Sequence, residues 1–217
     1  MLTSLAYLPW REAMPYLLGT AFLAYFLGSI PFGVICARLT GAGNLREIGS
    51  GSIGATNVLR TGNKWAAFAT LLLDMGKGAT AVLVANWNAG EVFAVVAALW
   101  VFLGHLFPVW LRFKGGKGVA TFVGVTLGLF WPIGLMTCIS WLATAIVFRI
   151  SSLASLVSAA FTPFFFLFWY DLDFWHAGQE MLLFVILELV IVIIIFVRHR
   201  TNIVRLISGQ EPSIGSR

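Results

Sequence analysis

The stretch GVATFVGVTLGLFWPIGLMTCISWLATAIVF, Gly118–Phe148, decides how often this chain crosses a membrane. It is almost entirely apolar, and it is too long for a single crossing helix, which needs about 20 residues. Trp131-Pro132 offers a break in the middle, because proline disfavours helix at the residue before it. Two interpretations follow: two short crossings joined at Trp131, or one long tilted helix that requires a re-entrant segment elsewhere.

The rest of the chain is apolar as well. Of its 217 residues 59% are hydrophobic and 11% are charged, and the mean hydropathy is +0.92. Because soluble domains carry about 25% charged residues, this composition indicates an all-α integral membrane protein. The length suits one polytopic domain, residues 1–217. Cys36 and Cys138 lie inside apolar runs, which favours two buried thiols over a disulfide or a metal site.

Charge placement selects the number of crossings. Besides Gly118–Phe148, apolar segments run at 14–37, 65–86, 92–111, 152–170 and 180–197. Three groups of cations between them belong in the cytoplasm by the positive-inside tendency: Arg38, Arg46, Arg60 and Lys64; Arg112, Lys114 and Lys117; Arg198, Arg200 and Arg205. An even number of crossings must separate the second group from the third, so Gly118–Phe148 counts twice. The prediction is seven transmembrane helices, some of them short, with the N-terminus outside, the C-terminus cytoplasmic, and Glu91, Asp171 and Asp173 outside.

The first polar segment on the cytoplasmic side is IGSGSIGATNVLRTGNK, Ile48–Lys64. It contains G-x-G-x-x-G, but a dinucleotide site requires a preceding strand and a βαβ unit, and here the loop follows a membrane helix. Glycine-rich backbone can still form a concave nest of N–H groups that binds an anion. Ser50, Thr56, Asn57 and Arg60 add hydrogen-bond donors. A flexible interfacial loop is the alternative.

The second polar segment is LRFKGGKGVAT, Leu111–Thr121. It is not a Walker A loop, because a glycine, and not serine or threonine, follows Lys117. Gly115, Gly116 and Lys117 stand before the next helix, where backbone amides and the positive helix end favour an anion. Positive-inside anchoring alone would explain the cations of this loop but not its glycines.

The third polar segment is RHRTNIVRLISGQE, Arg198–Glu211. If the last helix continues past the membrane, His199, Asn202 and Arg205 are three residues apart and lie along one face. A solvated stripe without a function is the alternative. A single imidazole is weak support for a general base.

Ionisable residues also occur inside the predicted crossings. Asp74 and Lys77 are three residues apart in the second crossing and can pair, because charges at such depth usually face a cavity or a partner. A structural ion pair and a secondary role at the substrate site both remain open. We expect Glu188 to hydrogen-bond a neighbouring helix and His105 to pack at a helix end. No spacing suggests a metal site.

The segments together resemble one family, the membrane acyl-phosphate:glycerol-3-phosphate acyltransferases, or PlsY family. The matching pieces follow the family's order over almost the whole chain: GSIPFG at 28–33, GSGSIGATNVLR at 49–60, DMGKG at 74–78, GHLFPVWLRFKGGKGVAT at 104–121 and RHRTNIVRLISGQE at 198–211. One departure is Ser52, where the family usually has asparagine.

This resemblance implies a seven-helix fold in the bacterial inner membrane with its site on the cytoplasmic face. It implies acyl transfer from a fatty acyl phosphate to the 1-hydroxyl of glycerol 3-phosphate, giving lysophosphatidic acid and phosphate. The partners are the two substrates and membrane lipid, with no cofactor and no nucleic acid; transient contact with the soluble enzyme that makes acyl phosphate stays open. By the family pattern Ser50, Arg60, Lys117, His199 and Asn202 line the site, with Thr56, Asn57 and Arg205 near it. We expect catalytic contacts from Ser50, Lys117 and His199. Substrate binding is expected from the other five and from the amides of Gly115 and Gly116.

The attacking hydroxyl must lose a proton in such a reaction. The chain lacks the H-x-x-x-x-D pattern of CoA-using acyltransferases, because Trp110, Met181 and Val204 stand five positions after the three histidines. Two routes stay open: His199 as the base, or the donor's own phosphate oxygen. A covalent acyl-Ser50 is less favoured, since no base is identifiable beside it. An anion transporter and a non-catalytic lipid-binding scaffold are the alternatives outside this class.

Overall fold

The computed structural model describes residues 9–171 and 180–215, and within these ranges the chain forms helices and turns without a strand. Asp173 and His176 lie outside the described residues. The elements in chain order are α1 Trp10–Ser29, α2 Phe32–Leu39, α3 Ala55–Leu59, α4 Lys64–Ala89, α5 Glu91–Leu106, a 3-10 turn Val109–Leu111, α6 Val119–Leu129, α7 Trp131–Phe148, α8 Ser151–Asp171, α9 Glu180–Arg198 and α10 Arg200–Ile207.

Six helical segments in the described part of the chain are long and apolar enough to cross a membrane. The first of them contains α1 and α2, which join at Ile30 and Pro31. Large apolar side chains such as Leu23 and Trp87 are exposed on the outside of the bundle, as lipid surroundings allow. These observations confirm the prediction of an all-helical membrane protein. The six segments are Trp10–Leu39, Lys64–Ala89, Glu91–Leu111, Trp131–Phe148, Ser151–Trp169 and Met181–Arg198.

Gly118–Phe148 divides at Phe130, as the two-piece interpretation predicts. Phe130 is extended (φ −154°, ψ 99°) between the end of α6 and the start of α7, so the single long helix is wrong. α6 has 11 residues, about 17 Å at 1.5 Å per residue, whereas the hydrocarbon core is about 30 Å thick. α6 alone is therefore too short to cross, and it is buried in the bundle, with Phe122 and Val125 fully shielded.

Glycines allow α6 to pack closely on α4. A Cβ on Gly124 would lie 1.9 Å from the Met75 carbonyl oxygen, and a Cβ on Gly128 would lie 2.9 Å from Val82 Cβ. Since the driving force for helix association in a membrane is close packing, this G-x-x-x-G spacing explains how a short helix is retained.

A buried carboxyl group joins α6 to α9. Glu188 is fully buried, and its Oε1 lies 2.9 Å from the Thr126 hydroxyl of α6. The expectation that Glu188 bonds a neighbouring helix is confirmed. Close packing on α4 and this contact with α9 together hold the second half of α6, the helix that follows Lys117.

Asp74, Lys77 and His105 form a buried polar cluster. Lys77 Nζ lies 2.7 Å from Asp74 Oδ1 and 2.9 Å from His105 Nδ1, and it donates to the Ile30 carbonyl at 3.0 Å. That carbonyl lies just beyond the end of α1 at Ser29, and it also accepts the Phe32 N–H at 3.1 Å. Lys77 therefore adds a second hydrogen bond to the backbone at the break between α1 and α2, which supports the structural interpretation of the ion pair. His105 packs in the last turn of α5, as expected, with Lys77 as its polar partner.

Candidate active site

One cavity of about 420 Å³ collects residues from all three polar segments. Its polar wall comes from the loop before α3, α3 itself, the start of α6, the start of α8, the α9–α10 junction and the tail beyond α10. The structure thus unites segments that are far apart in sequence. The predicted residues on the cavity wall are Ser50, Thr56, Asn57, Arg60, Asp74, Lys117, His199 and Asn202. Lys77, Gly115, Gly116 and Arg205 are not on it.

The first loop folds around the side chain of Asn57. Asn57 Nδ2 donates to the carbonyls of Leu45 (2.9 Å) and Ser52 (2.7 Å), and its Oδ1 accepts the Ser50 N–H at 3.1 Å. Gly49 has φ +52°, and a Cβ there would lie 2.7 Å from Asn57 Oδ1. The amide of Asn57 is therefore committed to the loop. Asn57 lines the cavity, and its amide holds the backbone of Ser50 there; its binding of substrate stays a prediction.

Lys117 enters the cavity from the turn before α6. Burial lowers its pKa from 10.5 to about 8; Glu211 opposes the shift, whereas the nearby Arg205 and Arg60 add to it. Its ammonium has no hydrogen-bond partner among the described residues. Gly118 follows with φ +88°, and a Cβ there would lie 2.4 Å from the Phe102 ring, so the turn requires glycine. The charge of Lys117 is thus available to a bound anion.

Gly115 and Gly116 have a different role from the predicted one. Their N–H groups donate to the carbonyls of Leu106 (3.0 Å) and His105 (3.3 Å), so these amides are not free to bind phosphate. A Cβ on Gly116 would lie 2.3 Å from His105 Nε2. The glycines are needed because the loop packs directly on the end of α5, and their assignment as ligands is corrected accordingly.

His199 lies at the one-residue junction between α9 and α10, where helix-type backbone bonds continue on both sides. α9 ends at Arg198 and α10 begins at Arg200. His199 Nδ1 lies 2.8 Å from the Ile195 carbonyl, which can only accept, so the proton is on Nδ1 and Nε2 is free to accept. Burial lowers the pKa of the imidazole from 6.5 to about 4; the bond to Ile195 opposes this, and the charge of Lys117 adds to it.

Glu211 lies in the third polar segment but was not among the residues predicted from sequence. Its Oε1 accepts from Ser152 Oγ (2.7 Å) and Asn202 Nδ2 (2.6 Å), and its Oε2 accepts from Arg205 Nε at 2.7 Å. Burial would raise its pKa, but these bonds and the Arg205 charge lower it. The one indication in the sequence was that Glu211 is the single acidic residue in a segment rich in cations, Arg198–Glu211. Arg205, predicted to bind substrate, instead pairs with Glu211.

Asn202 retains one free polar atom. Its Oδ1 is buried and has no partner among the described residues. This oxygen can accept a hydrogen bond from a ligand hydroxyl in the cavity. Three serines of α8, also not selected from sequence, complete this wall: Ser151, Ser152 and Ser155. The Thr56 and Ser151 hydroxyls lie 3.0 Å apart, which joins α3 to α8.

Two arginines hold the loop that carries Lys117. Arg46 donates to the Gly51 carbonyl at 3.0 Å and also to the Lys114 carbonyl, so it connects the first two polar segments. Arg198 donates to the Gly116 carbonyl. Neither residue lines the cavity, and both were identified from sequence only as members of the cytoplasmic cation groups.

The cavity also has an apolar arm. Leu71 and Leu72 of α4, one of the helices long enough to cross the membrane, line the cavity and are both exposed. Trp141 forms part of the opposite wall, where its Nε1 donates to Ser155 Oγ at 3.2 Å. The remaining apolar lining comes from Met75, Val119, Ala120, Val123 and Cys138.

The fold and the cavity define a polytopic helical membrane protein with a cationic site that continues into an apolar arm. Within the described ranges, no three His, Cys, Asp or Glu side chains group closely enough to hold a metal ion. The cavity lining combines cations, amides and hydroxyls with the carboxylates of Asp74 and Glu211.

Comparison with known proteins identifies the family. The model of the glycerol-3-phosphate acyltransferase family matches residues 18–209. Curated relatives of that name are 54% identical over 211 residues in Dinoroseobacter shibae (97% of this chain, 99% of the relative) and 56% identical over 209 residues in Jannaschia sp. (96% and 98%). The chain belongs to the glycerol-3-phosphate acyltransferase family, and it is an acyltransferase.

Two solved structures are similar over nearly the whole chain. Both are of PlsY (YgiH), an integral membrane glycerol 3-phosphate acyltransferase. Its glycerol 3-phosphate form has a TM-score of 0.82 at 36% identity, and its lysophosphatidic acid form has 0.79 at 34%. Each match covers 92% of this chain and 96% of the other.

Proposed function

We propose that this protein transfers a fatty acyl group from acyl phosphate to the 1-hydroxyl of glycerol 3-phosphate. The products are 1-acylglycerol 3-phosphate and inorganic phosphate. One observation carries this proposal: a single cavity joins cations and hydroxyl groups to apolar side chains, including the exposed Leu71 and Leu72 of a membrane-crossing helix. Both substrates carry phosphate and only the donor carries an alkyl chain, so the cavity matches the pair in charge and polarity.

Lys117 and Arg60 are the cations that would meet the phosphates in this cavity. Asn202 Oδ1 would accept a hydrogen bond from a glycerol hydroxyl. Because the mixed anhydride is already activated, the protein mainly has to orient the two substrates and neutralise the charge that develops on the leaving phosphate. Correct orientation alone can lower a barrier by roughly 7–11 kcal/mol.

The proton of the attacking hydroxyl goes, in this proposal, to an oxygen of the departing phosphate. His199 Nε2 carries a free lone pair, but a pKa of about 4 makes it a weak base at neutral pH. The oxygen of the departing phosphate becomes more basic as its bond to the acyl carbon breaks, so it is the stronger acceptor. His199 then orients the hydroxyl. Ser50 is exposed and has no base bonded to it in the described part of the chain, which argues against an acyl-serine intermediate.

We also propose that seven helical segments enter the membrane, six of them long enough to cross it and the seventh being the short α6. The N-terminus is then outside, the C-terminus cytoplasmic, and the cavity on the cytoplasmic face of the inner membrane. The cation groups support this orientation. In this topology α6 enters the bilayer from the cytoplasmic side and ends partway through it. The next helix, α7, leads back to Arg149 on the cytoplasmic side. Single cysteines at Lys64 and Asn88, labelled from either side of oriented vesicles, test it. Labelling of both from the same side would contradict the topology.

The activity test uses purified protein, acyl phosphate and glycerol 3-phosphate. Phosphate release should depend on the acceptor, and acylglycerol phosphate should form in equal amount. Lys117→Ala should lose this activity while remaining folded in detergent. Absence of acceptor-dependent release from folded wild-type protein would refute the enzyme proposal and leave the transporter and scaffold interpretations.

A further inference from the structure

Arg198, the last residue of α9, reaches the loop that carries Lys117. Its Nη2 donates to the Gly116 carbonyl at 2.9 Å and lies 3.5 Å from the Gly115 carbonyl. The guanidinium carbon lies 5.5 Å from the centre of the Phe107 ring, a cation–π distance. The side chain is thus held between the end of α9 and the turn that follows α5.

The Gly116 carbonyl and the Lys117 N–H belong to the same planar peptide unit. A hydrogen bond to that carbonyl therefore sets the plane from which the Lys117 side chain starts. The other side of Gly116 is closed by His105, because even a Cβ at Gly116 would lie 2.3 Å from His105 Nε2. Arg198 and His105 together confine this peptide from both sides.

Arg198 also links two parts of the cavity wall. It directly precedes His199, which is itself held by the bond from Nδ1 to the Ile195 carbonyl. One side chain therefore couples the α9–α10 junction to the turn that carries Lys117. Arg198 does not line the cavity, so any effect on bound substrate has to pass through these neighbours.

We propose that Arg198 is a positioning residue, which holds the Gly116–Lys117 peptide so that the Lys117 ammonium meets the substrate phosphate. The inference rests on the proposed function, because it requires a phosphate-bearing substrate in the cavity. A guanidinium suits this task better than an ammonium, since its planar fork is pre-organised and can contact two carbonyls.

The test compares R198M, R198K and R200M. Arg200 is exposed, lies two residues further on and lacks a hydrogen bond in the described part of the chain, so R200M is a control for loss of one positive charge. For folded R198M we expect KM for a phosphate substrate to rise about tenfold or more, because a charge-assisted hydrogen bond is lost. R198K should recover part of this loss, and R200M should stay within about twofold of wild type.

A merely structural role would lower the amount of active enzyme and leave KM unchanged. Equal KM values in R198M, R200M and wild type would therefore overturn the inference. If thermal unfolding in detergent shows that R198M does not fold, the test rests on R198K. A wild-type KM in R198K would then overturn the inference, and a raised KM would support it.

Hydrogen–deuterium exchange separates this inference from the proposed function. The peptide covering residues 112–121 should exchange faster in R198M than in wild type, and R200M should leave it unchanged. This readout needs no turnover. Inactive wild-type protein would refute the proposed function. Unchanged exchange in R198M would refute the inference that Arg198 holds the Gly116–Lys117 peptide.

Discussion

Lys117 makes the activity depend on pH in a direction that follows from its surroundings. Burial lowers the pKa of this lysine to about 8, so it is charged below that pH and neutral above it. From pH 7 to pH 9 the charged fraction falls from about nine tenths to about one tenth. If the ammonium binds a substrate phosphate, kcat/KM should fall about tenfold per pH unit above pH 8.

Substitution of Lys117 tests this assignment. Lys117→Arg keeps a positive charge at every accessible pH, because arginine does not deprotonate in proteins. Its alkaline decline should therefore disappear, even if its maximal activity is lower than that of wild type. Lys117→Met should be weakly active at every pH.

The same burial predicts a gain in stability for Lys117→Met. A shift from 10.5 to about 8 corresponds to roughly 3 kcal/mol at 1.36 kcal/mol per pKa unit, an upper bound. The charged lysine destabilises the fold fully below pH 8, and this cost fades as the pH rises from 8 toward 10.5. The melting temperature of Lys117→Met in detergent should exceed that of wild type at pH 7, and the difference should shrink at pH 10.

The assay is acceptor-dependent phosphate release between pH 6 and 9.5, with protein-free reactions to correct for hydrolysis of the donor. Identical alkaline declines in wild type and Lys117→Arg would refute the assignment of this decline to Lys117. A Lys117→Met variant that melts below wild type at pH 7 would refute the argument from burial.

Three further substitutions test the rest of the site. His199→Ala should lower kcat but leave the shape of the pH–rate profile between pH 5 and 7 unchanged, because the pKa of His199 is about 4. If the profile of the variant loses a limb in that range, His199 is the general base after all. Glu211→Gln should lower stability by roughly 2 kcal/mol, through loss of charge-assisted bonds from Ser152, Asn202 and Arg205, measured as a lower melting temperature; an unchanged value contradicts this. Gly116→Ala should reduce activity more than about tenfold, because the added Cβ would displace Lys117. Gly76→Ala is the control and should be nearly neutral, because a Cβ there meets nothing within 4 Å. Equal rates of the two variants would contradict the packing argument.

Much of the architecture could be predicted from sequence because its causes are local. Hydropathy decides whether a segment prefers lipid, and Pro132 restricts the residue before it, so the helical membrane class and the break near Trp131 follow from short stretches. Three polar segments were also recognisable, since glycines and cations are unusual between apolar helices. The short length of α6 was expected, but the G-x-x-x-G packing that retains it was not.

The tertiary structure decided which of these polar residues face a ligand. Asn57 and Arg205 were predicted to bind substrate, but both amide donors of Asn57 are used by backbone carbonyls, and Arg205 gives its Nε–H to Glu211. In the sequence Arg198 is indistinguishable from the other cations of its group, and only its hydrogen bond to the Gly116 carbonyl connects it to the Lys117 loop. The sequence by itself determined the membrane class, the polar segments and the kind of chemistry they suit. The structure determined which groups remain unpaired, because a hydrogen-bond donor is available to a substrate only if no distant part of the chain has already used it.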